Sequence, residues 1–199
     1  IREAMATARN VCIVGGGYIG LEVASVAVTA ECNVTVLEME DRILQRVTTP
    51  EMSSFYHRLH SSHGVNILTS TAIQGFSGDS KVEQVLCGEQ TIDADLVIVG
   101  IGIIPNVALA DAAGIQCENG IVVDDHCQTS ESDVYAAGDC SNHPNPILQR
   151  RLRLESVPNA MEQARVAATN MLGGDDTYSS IPWFWSDQYD LNLQMVGFS

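Results

Sequence analysis

Positive charge is what this sequence most lacks. Its 199 residues carry 10 Lys+Arg against 25 Asp+Glu, a formal net charge of −15, and Lys81 is the only lysine. Nonspecific binding to nucleic acid or to an anionic membrane needs cationic surface, so both are excluded as general functions. Long apolar runs are missing too. None reaches the ~18 residues of a membrane-spanning helix, and no signal peptide precedes the first strand. The six cysteines, at 12, 32, 87, 117, 127 and 140, form no C-x-x-C pair. That argues against a zinc ribbon and against a thioredoxin-type redox pair. At this length and cysteine density, reduced thiols in a cytoplasmic protein are the expectation, not a disulfide scaffold. No G-x-S-x-G elbow occurs, which disfavours a hydrolase. His57, His60 and His63 lie near Glu51 on one predicted helix, but without a Cys/Asp triad they read as a polar face, and no metal is expected.

What is present is an apolar fraction of 45%, enough for a substantial core. Residues 11–14 form a short apolar run ending in three glycines, a buried-strand signature. Residues 18–30 are apolar with few polar breaks and read as a buried helix, and 33–37 as the next strand. Strand, glycine turn, helix and strand within about thirty residues make a βαβ unit. A helix is expected over 50–63, with Thr49 as N-cap, Pro50 at its first position and Gly64 after its end. Strands follow at 65–68, 72–76, 81–87 and 90–92, the middle ones a meander, and then a buried strand over 95–100. Beyond Pro105 the pattern predicts a helix at 106–113, strands at 120–123 and 134–137, a loop at 143–146, and a helix at 157–172 stopped by two glycines. Residues 182–189, holding both tryptophans, read as a loop, and 191–196 as strand-like. The opening residues, 1–9, read as helix. The chain begins on Ile1 and stops just after that last strand-like stretch, so a piece of a longer polypeptide is expected.

Gly15-Gly16-Gly17-Tyr18-Ile19-Gly20 fits G-x-G-x-x-G. The pattern alone is weak, but here it follows a strand, opens a helix and precedes an acidic residue at the end of the next strand. Gly15 permits the tight turn, Gly17 lets a pyrophosphate approach the backbone, and Gly20 lets the helix pack close to the strand. The helix N-terminus offers free N–H groups to phosphate. Glu38, 18 residues past Gly20, can accept bonds from ribose hydroxyls and repel a 2′-phosphate, which favours NAD(H) over NADP(H). Arg42 and Arg46 lie close enough to bear on that selectivity. Glu22 stands inside an apolar helix, where an unpaired carboxylate is costly. It reads either as lying on an exposed helix face or as facing the nicotinamide or a lysine. Gly100-Ile101-Gly102 closes a buried strand at its C-terminal end, the edge where ligands bind in open α/β sheets, and is expected to line the nicotinamide side of the cleft. Arg150, Arg151 and Arg153 form the one basic cluster, read as a solvated loop or as a docking patch for an acidic partner or a cofactor phosphate.

Residues 14–22 (VGGGYIGLE), 36–46, 100–106 (GIGIIPN), 129–139 (TSESDVYAAGD), 151–168 (RLRLESVPNAMEQARVAA) and 182–191 (PWFWSDQYDL) together resemble the flavin-dependent pyridine nucleotide-disulfide oxidoreductases, in particular their ferredoxin and rubredoxin reductase group. They occur in the family's order along nearly the whole chain. The resemblance implies an α/β fold: a Rossmann-type NAD(H)-binding domain over 1–104 with the βαβ unit and the meander. The second half of a split FAD-binding domain would follow over 105–180, and the start of a C-terminal domain over 181–199. It implies that Gly138 and Asp139 belong to the second FAD fingerprint, that Val157 approaches the flavin ring and that Trp185 lies beside it. It implies a reductase passing electrons from NADH through FAD to a small iron–sulfur protein of an oxygenase system, with the cofactors carrying the chemistry and no side chain as catalytic acid, base or nucleophile. The family's first FAD segment is absent, so the chain alone is expected to bind FAD poorly and to be inactive. An NADH oxidase, a nitrite-reductase-like flavoprotein and a non-catalytic NADH-binding module remain open alternatives.

Overall fold

The structure, a computed structural model, describes residues 1–197. Two compact units emerge. One comprises Ile1–Gly102 with Ser186–Leu193; the other comprises Ile103–Trp185 with residues 194–197.

The first unit opens with a single helical turn, α1 (Arg2–Met5), shorter than the expected helix over 1–9. The chain straightens because Asn10 already pairs with the sheet. Then come β1 (Asn10–Val14), α2 (Tyr18–Thr29), β2 (Asn33–Leu37), α3 (Pro50–Ser62) and β3 (Asn66–Leu68). A meander of β4 (Gly75–Ser77), β5 (Gln84–Cys87) and β6 (Gln90–Asp93) precedes β7 (Leu96–Val99). β1, β2, β3 and β7 form a parallel sheet in the order β3-β2-β1-β7, with Cys12 opposite Thr35 on one side and Val97 on the other. This is the strand order of a doubly wound nucleotide-binding fold, and its return connection is an antiparallel meander in place of a helix.

Strand alternation divides the core between the two faces of the sheet. Val11, Ile13, Val34 and Val36 turn to the α2 side and pack with Ala24 and Ala27. Cys12 and Leu37 turn the other way, onto Val85, Cys87 and Ala94 of the meander region. Leu21, Ile43, Leu44 and Tyr56 make a third cluster, which seats the loop after β2 against the helices. α3 starts as its sequence predicts: Thr49 caps it, accepting a bond from the Met52 N–H, and Pro50 occupies its first turn.

The second unit contains α4 (Ala108–Ala112), β8 (Ile121–Val122), β9 (Ser141–Asn145), β10 (Arg150–Leu152) and α5 (Val157–Met171). β9 pairs in parallel with β8 and antiparallel with β10. α5 is capped by Ser156, and Val166 and Ala167 from it pack on Cys127 and Tyr178. Last comes the hairpin of β11 (Trp183–Gln188) and β12 (Leu191–Val196).

Three sequence expectations change here. Residues 143–146, read as loop, belong mostly to β9. The prolines suggested a loop, yet β8 reaches only Ser141 and Asn142, so at Pro144 the strand is an edge on that side and tolerates proline. Residues 134–137, read as a strand, make only an isolated bridge between Gln128 and Tyr135. Residues 182–189, read as loop, are largely β11, whose pairing partner β12 supplies the order that composition did not reveal.

Candidate functional site

The glycine turn joins β1 to α2. Gly15 has φ +108, and a Cβ there would run into the carbonyl of Gly100. A Cβ on Gly20 would run into the carbonyl of Gly15. Both glycines are therefore required by the protein's own packing. Gly17 differs. Its φ is −80, open to any residue, and a Cβ there would meet nothing within 4 Å. It is the N-cap of α2 and has no capping side chain, so the helix N-terminus ends in bare backbone facing open space. Such a surface suits a phosphate group: N–H donors, a positive helix end and room for close approach. Tyr18 and Ile19 start the helix. The Tyr18 hydroxyl donates to the Val47 carbonyl at 3.4 Å, burial pushes its pKa up, and Ile19 is exposed.

Beside the turn lies a cleft of about 330 Å³ lined by Gly15, Gly17, Glu38, Arg46, Gly100 and Ile101 among others. Glu38 is held from two sides: the Gly16 N–H donates to its Oε2 at 2.7 Å and the Glu40 N–H to its Oε1 at 2.9 Å. Its carboxylate thus has a fixed orientation at the cleft edge, with further lone pairs on both oxygens. The loop after β2 also grips the turn from the opposite side, since the Leu44 N–H donates to the Gly16 carbonyl at 2.9 Å.

The two arginines of that loop separate. The Arg42 guanidinium donates to the Thr48 carbonyl (3.0 Å), the Ser53 hydroxyl (2.5 Å) and the Gln45 carbonyl (3.0 Å). It holds the loop together and does not reach the cleft. Arg46 does line the cleft, 3.9 Å from where a Cβ of Gly102 would stand. The Gly100 N–H donates to the Val14 carbonyl at 2.8 Å, so Gly100 and Ile101 follow β7 along the cleft wall, and Gly102 comes next, beside Arg46.

Glu22 faces neither a lysine nor open solvent alone. Its Oε1 accepts the Ser186 hydroxyl at 2.5 Å, across 164 positions of sequence. That pairing had no signal in the sequence. His60 is a second surprise: expected on a polar face, it is buried, with Gln188 on one ring nitrogen and Tyr189 on the other. Among the described residues no His/Cys/Asp/Glu group could hold a metal.

In the second unit, Gly138 has φ +83, and its N–H donates to Gln163 Oε1 at 2.7 Å. A Cβ there would lie 3.4 Å from the Ala160 side chain, so Gly138 backs directly onto the first turns of α5. Asp139 is exposed, and its side chain has no hydrogen-bond partner among the described residues. Val157, the first residue of α5, is also exposed. Trp185 lies on β11 with its ring centroid 5.6 Å from that of Trp183. The basic cluster is not a fully solvated loop. Arg151 donates to the Val123 carbonyl at 2.6 Å and to the side chain and carbonyl of Asn142. Arg153 donates to the Asp139 carbonyl at 3.0 Å and to Glu155 at 2.7 Å. Two of the three arginines are thus spent on internal bonds.

The sequence profile of the pyridine nucleotide-disulphide oxidoreductases matches residues 1–164, and that of the reductase C-terminal region matches 183–199. Putidaredoxin reductase of Pseudomonas putida is 48% identical over 100% of the chain, which covers 48% of that protein. The ferredoxin–NAD(+) reductase component of the anthranilate 1,2-dioxygenase system of Burkholderia cepacia is 45% identical, with 99% and 49% covered. The crystal structure of a ferredoxin reductase from Rhodopseudomonas palustris superposes with a TM-score of 0.95 at 39% identity, covering 99% of this chain and 49% of that one. The chain therefore spans about half the length of the relatives it matches. A Rossmann-type sheet, a glycine turn with one face left open, and a profile match over most of its residues place the chain in the pyridine nucleotide-disulphide oxidoreductase family.

Proposed function

We propose that this chain is the nucleotide-binding part of an FAD-dependent oxidoreductase that takes electrons from NADH and passes them to a small iron–sulfur protein of an oxygenase system. The observation that carries the reading is Gly17: no protein atom needs a glycine there, whereas a pyrophosphate does. When bound, the nicotinamide and the flavin supply the hydride and electron-transfer chemistry. The chain's residues bind and orient. Gly15, Gly17, Tyr18, Ile19 and Gly20 present the helix N-terminus to the pyrophosphate. Glu38, already oriented by two N–H donors, accepts from the ribose hydroxyls and repels a 2′-phosphate. Arg46 offers a cation at the same cleft, and the backbone of Gly100, Ile101 and Gly102 lines the nicotinamide side. Glu22 positions the nicotinamide end. In the second unit, Gly138, Asp139 and Val157 offer a turn, an exposed carboxylate and a helix start for FAD, and Trp185 offers a ring to lie beside the flavin.

We assign 1–104 to the NAD(H) domain, 105–180 to the FAD domain and 181–199 to the start of a C-terminal domain, the last supported by the second profile. A cytoplasmic location is supported by six free cysteines. No helix among the described residues is long and apolar enough to cross a membrane. The relatives from P. putida and B. cepacia carry names of putidaredoxin and ferredoxin reductases, which supports the iron–sulfur acceptor. The test is calorimetric titration of the full-length protein with NADH and NADPH, wild type against Glu38→Ala. Wild type is expected to favour NADH by about tenfold or more, one ribose-carboxylate interaction's worth, and the variant to lose most of that preference. Unchanged selectivity in Glu38→Ala refutes the assignment.

A further inference from the structure

A line of hydrogen bonds runs through the first unit from Tyr189 to Glu22, and nucleotide binding as described makes no use of it. The Tyr189 hydroxyl lies 2.9 Å from Nδ1 of His60, and Nε2 of His60 lies 2.8 Å from Oε1 of Gln188. Nε2 of Gln188 lies 3.0 Å from the Ser186 hydroxyl, which lies 2.5 Å from Oε1 of Glu22. His60, Ser186 and Gln188 are all buried. The chain of bonds joins α3, the β11–β12 hairpin and α2. Burying three polar side chains costs desolvation that an apolar contact between the same elements would avoid. Packing alone gives no reason for it.

Proton positions along the chain follow by elimination from Glu22. An ionised carboxylate only accepts, so the single hydroxyl proton of Ser186 points at Glu22. The Ser186 oxygen then has only lone pairs to offer Gln188, so the amide nitrogen of Gln188 faces it and the amide carbonyl faces His60. A carbonyl cannot donate, so His60 carries its proton on Nε2. Burial pushes the His60 pKa down, against the pull of the Gln188 bond, and His63 and His57 add to the depression. The neutral ring leaves Nδ1 to accept from the Tyr189 hydroxyl. Every donor in the chain points toward Glu22. Turning the Ser186 hydroxyl away would leave two acceptor oxygens facing each other at Glu22, and turning the Gln188 amide over would set its carbonyl against the Ser186 oxygen. The ring of His63 stacks on Tyr189 at 3.8 Å and closes the outer end.

We propose that Ser186, Gln188, His60 and Tyr189 are positioning residues: a one-way hydrogen-bond relay that holds the Glu22 carboxylate in one orientation on the second turn of α2. The proposal rests on the reading above that Glu22 acts at the nicotinamide end of the site. Ser186 is the last link, so its hydroxyl has the most direct hold on Glu22.

Two measurements on the full-length flavin-containing protein test it. The first is ¹⁵N NMR of histidine-labelled protein at neutral pH, which reads the His60 tautomer. A proton on Nε2 with a bare Nδ1 is expected; a proton on Nδ1, or on both nitrogens, overturns the relay. The second is single-turnover flavin reduction by NADH in Ser186→Ala, Gln188→Leu and Ser186→Thr. Ser186→Ala and Gln188→Leu are expected to slow reduction at saturating NADH by about tenfold, the loss of one hydrogen bond to a charged group, with NADH affinity within about twofold. Ser186→Thr, which keeps the hydroxyl, is expected to restore the rate to within about threefold. Normal rates in Ser186→Ala, or a loss that Ser186→Thr does not recover, overturn the positioning role. If wild-type flavin is not reduced by NADH at all, it is the functional reading that fails, and the tautomer still decides whether the relay exists.

Discussion

Two glycines three positions apart in one turn, Gly17 and Gly20, should respond to the same substitution in opposite ways. In Gly20→Ala the new Cβ meets the Gly15 carbonyl, a backbone atom that cannot swing aside. A first-turn helical glycine replaced by alanine gains at most about 1 kcal/mol in helix propensity. Overpacking against fixed backbone costs roughly 1–3 kcal/mol, and a contact this close lies at or above the upper end. The net expectation is a loss of about 2 kcal/mol. For a chain of this size that lowers Tm by roughly 4–8 °C. In Gly17→Ala the Cβ meets no protein atom, and φ −80 suits alanine. Alanine is a poorer N-cap than glycine by a few tenths to ~1 kcal/mol, and the loss of unfolded-state freedom offsets about as much. Stability should therefore stay within about 1 kcal/mol of wild type. NADH affinity should nevertheless fall by about tenfold or more, because the methyl occupies the space offered to the pyrophosphate. Thermal unfolding and calorimetric titration of the two variants in parallel supply the assay. If Gly17→Ala binds NADH like wild type, the open face of the turn is not a phosphate platform, and the central observation behind the proposed function is lost. If Gly20→Ala keeps both Tm and affinity, the close approach of α2 to the turn is not a constraint.

Two more expectations follow from side chains whose roles the structure separates. Arg42→Ala removes a guanidinium with three internal acceptors and should cost about 2 kcal/mol in thermal unfolding without changing the NADH/NADPH ratio, whereas Arg46→Ala should leave stability alone and weaken nucleotide binding, NADPH most. A selectivity change in Arg42→Ala would show that the assignment is reversed. His143 is buried without a partner on either ring nitrogen, and burial, helped by nearby Arg151, pushes its pKa from 6.5 to about 4. The depressed value favours the unfolded state as protons bind. Its contribution is intact above pH ~6.5 and falls away as the pH drops toward 4, by up to about 3 kcal/mol. Denaturant unfolding across that range, wild type against His143→Phe, should show the slope in the former and a flatter profile in the latter. Parallel profiles would mean that His143 is not the group responsible.

Local pattern carried the sequence reading a long way, because the nucleotide-binding turn is itself local. A buried strand, glycines that only fit a tight crossing, an apolar helix and an acidic residue at the next strand's end all lie within thirty positions, and each is dictated by short-range sterics and period. The same holds for the Thr49-Pro50 helix start and for the meander. It fails where the deciding partner is distant. Hydropathy put His60 on a polar face; Gln188, 128 positions away, draws it inside. Residues 182–189 lack a strand's alternation, and only pairing with β12 orders them.

By itself, then, the sequence determined the βαβ unit, the turn and the placing of Glu38, since these follow from backbone conformations available to particular residues and from spacing along one strand–helix–strand. Only the tertiary structure decided which arginine meets the cleft, that Arg151 and Arg153 are spent on backbone carbonyls and neighbouring side chains, and that Glu22 is tied to Ser186. Charged and polar side chains are long, and composition says nothing of where their partners lie. Their roles are fixed by which buried acceptors the folded backbone brings within three ångströms, and that becomes known only once the chain has closed on itself.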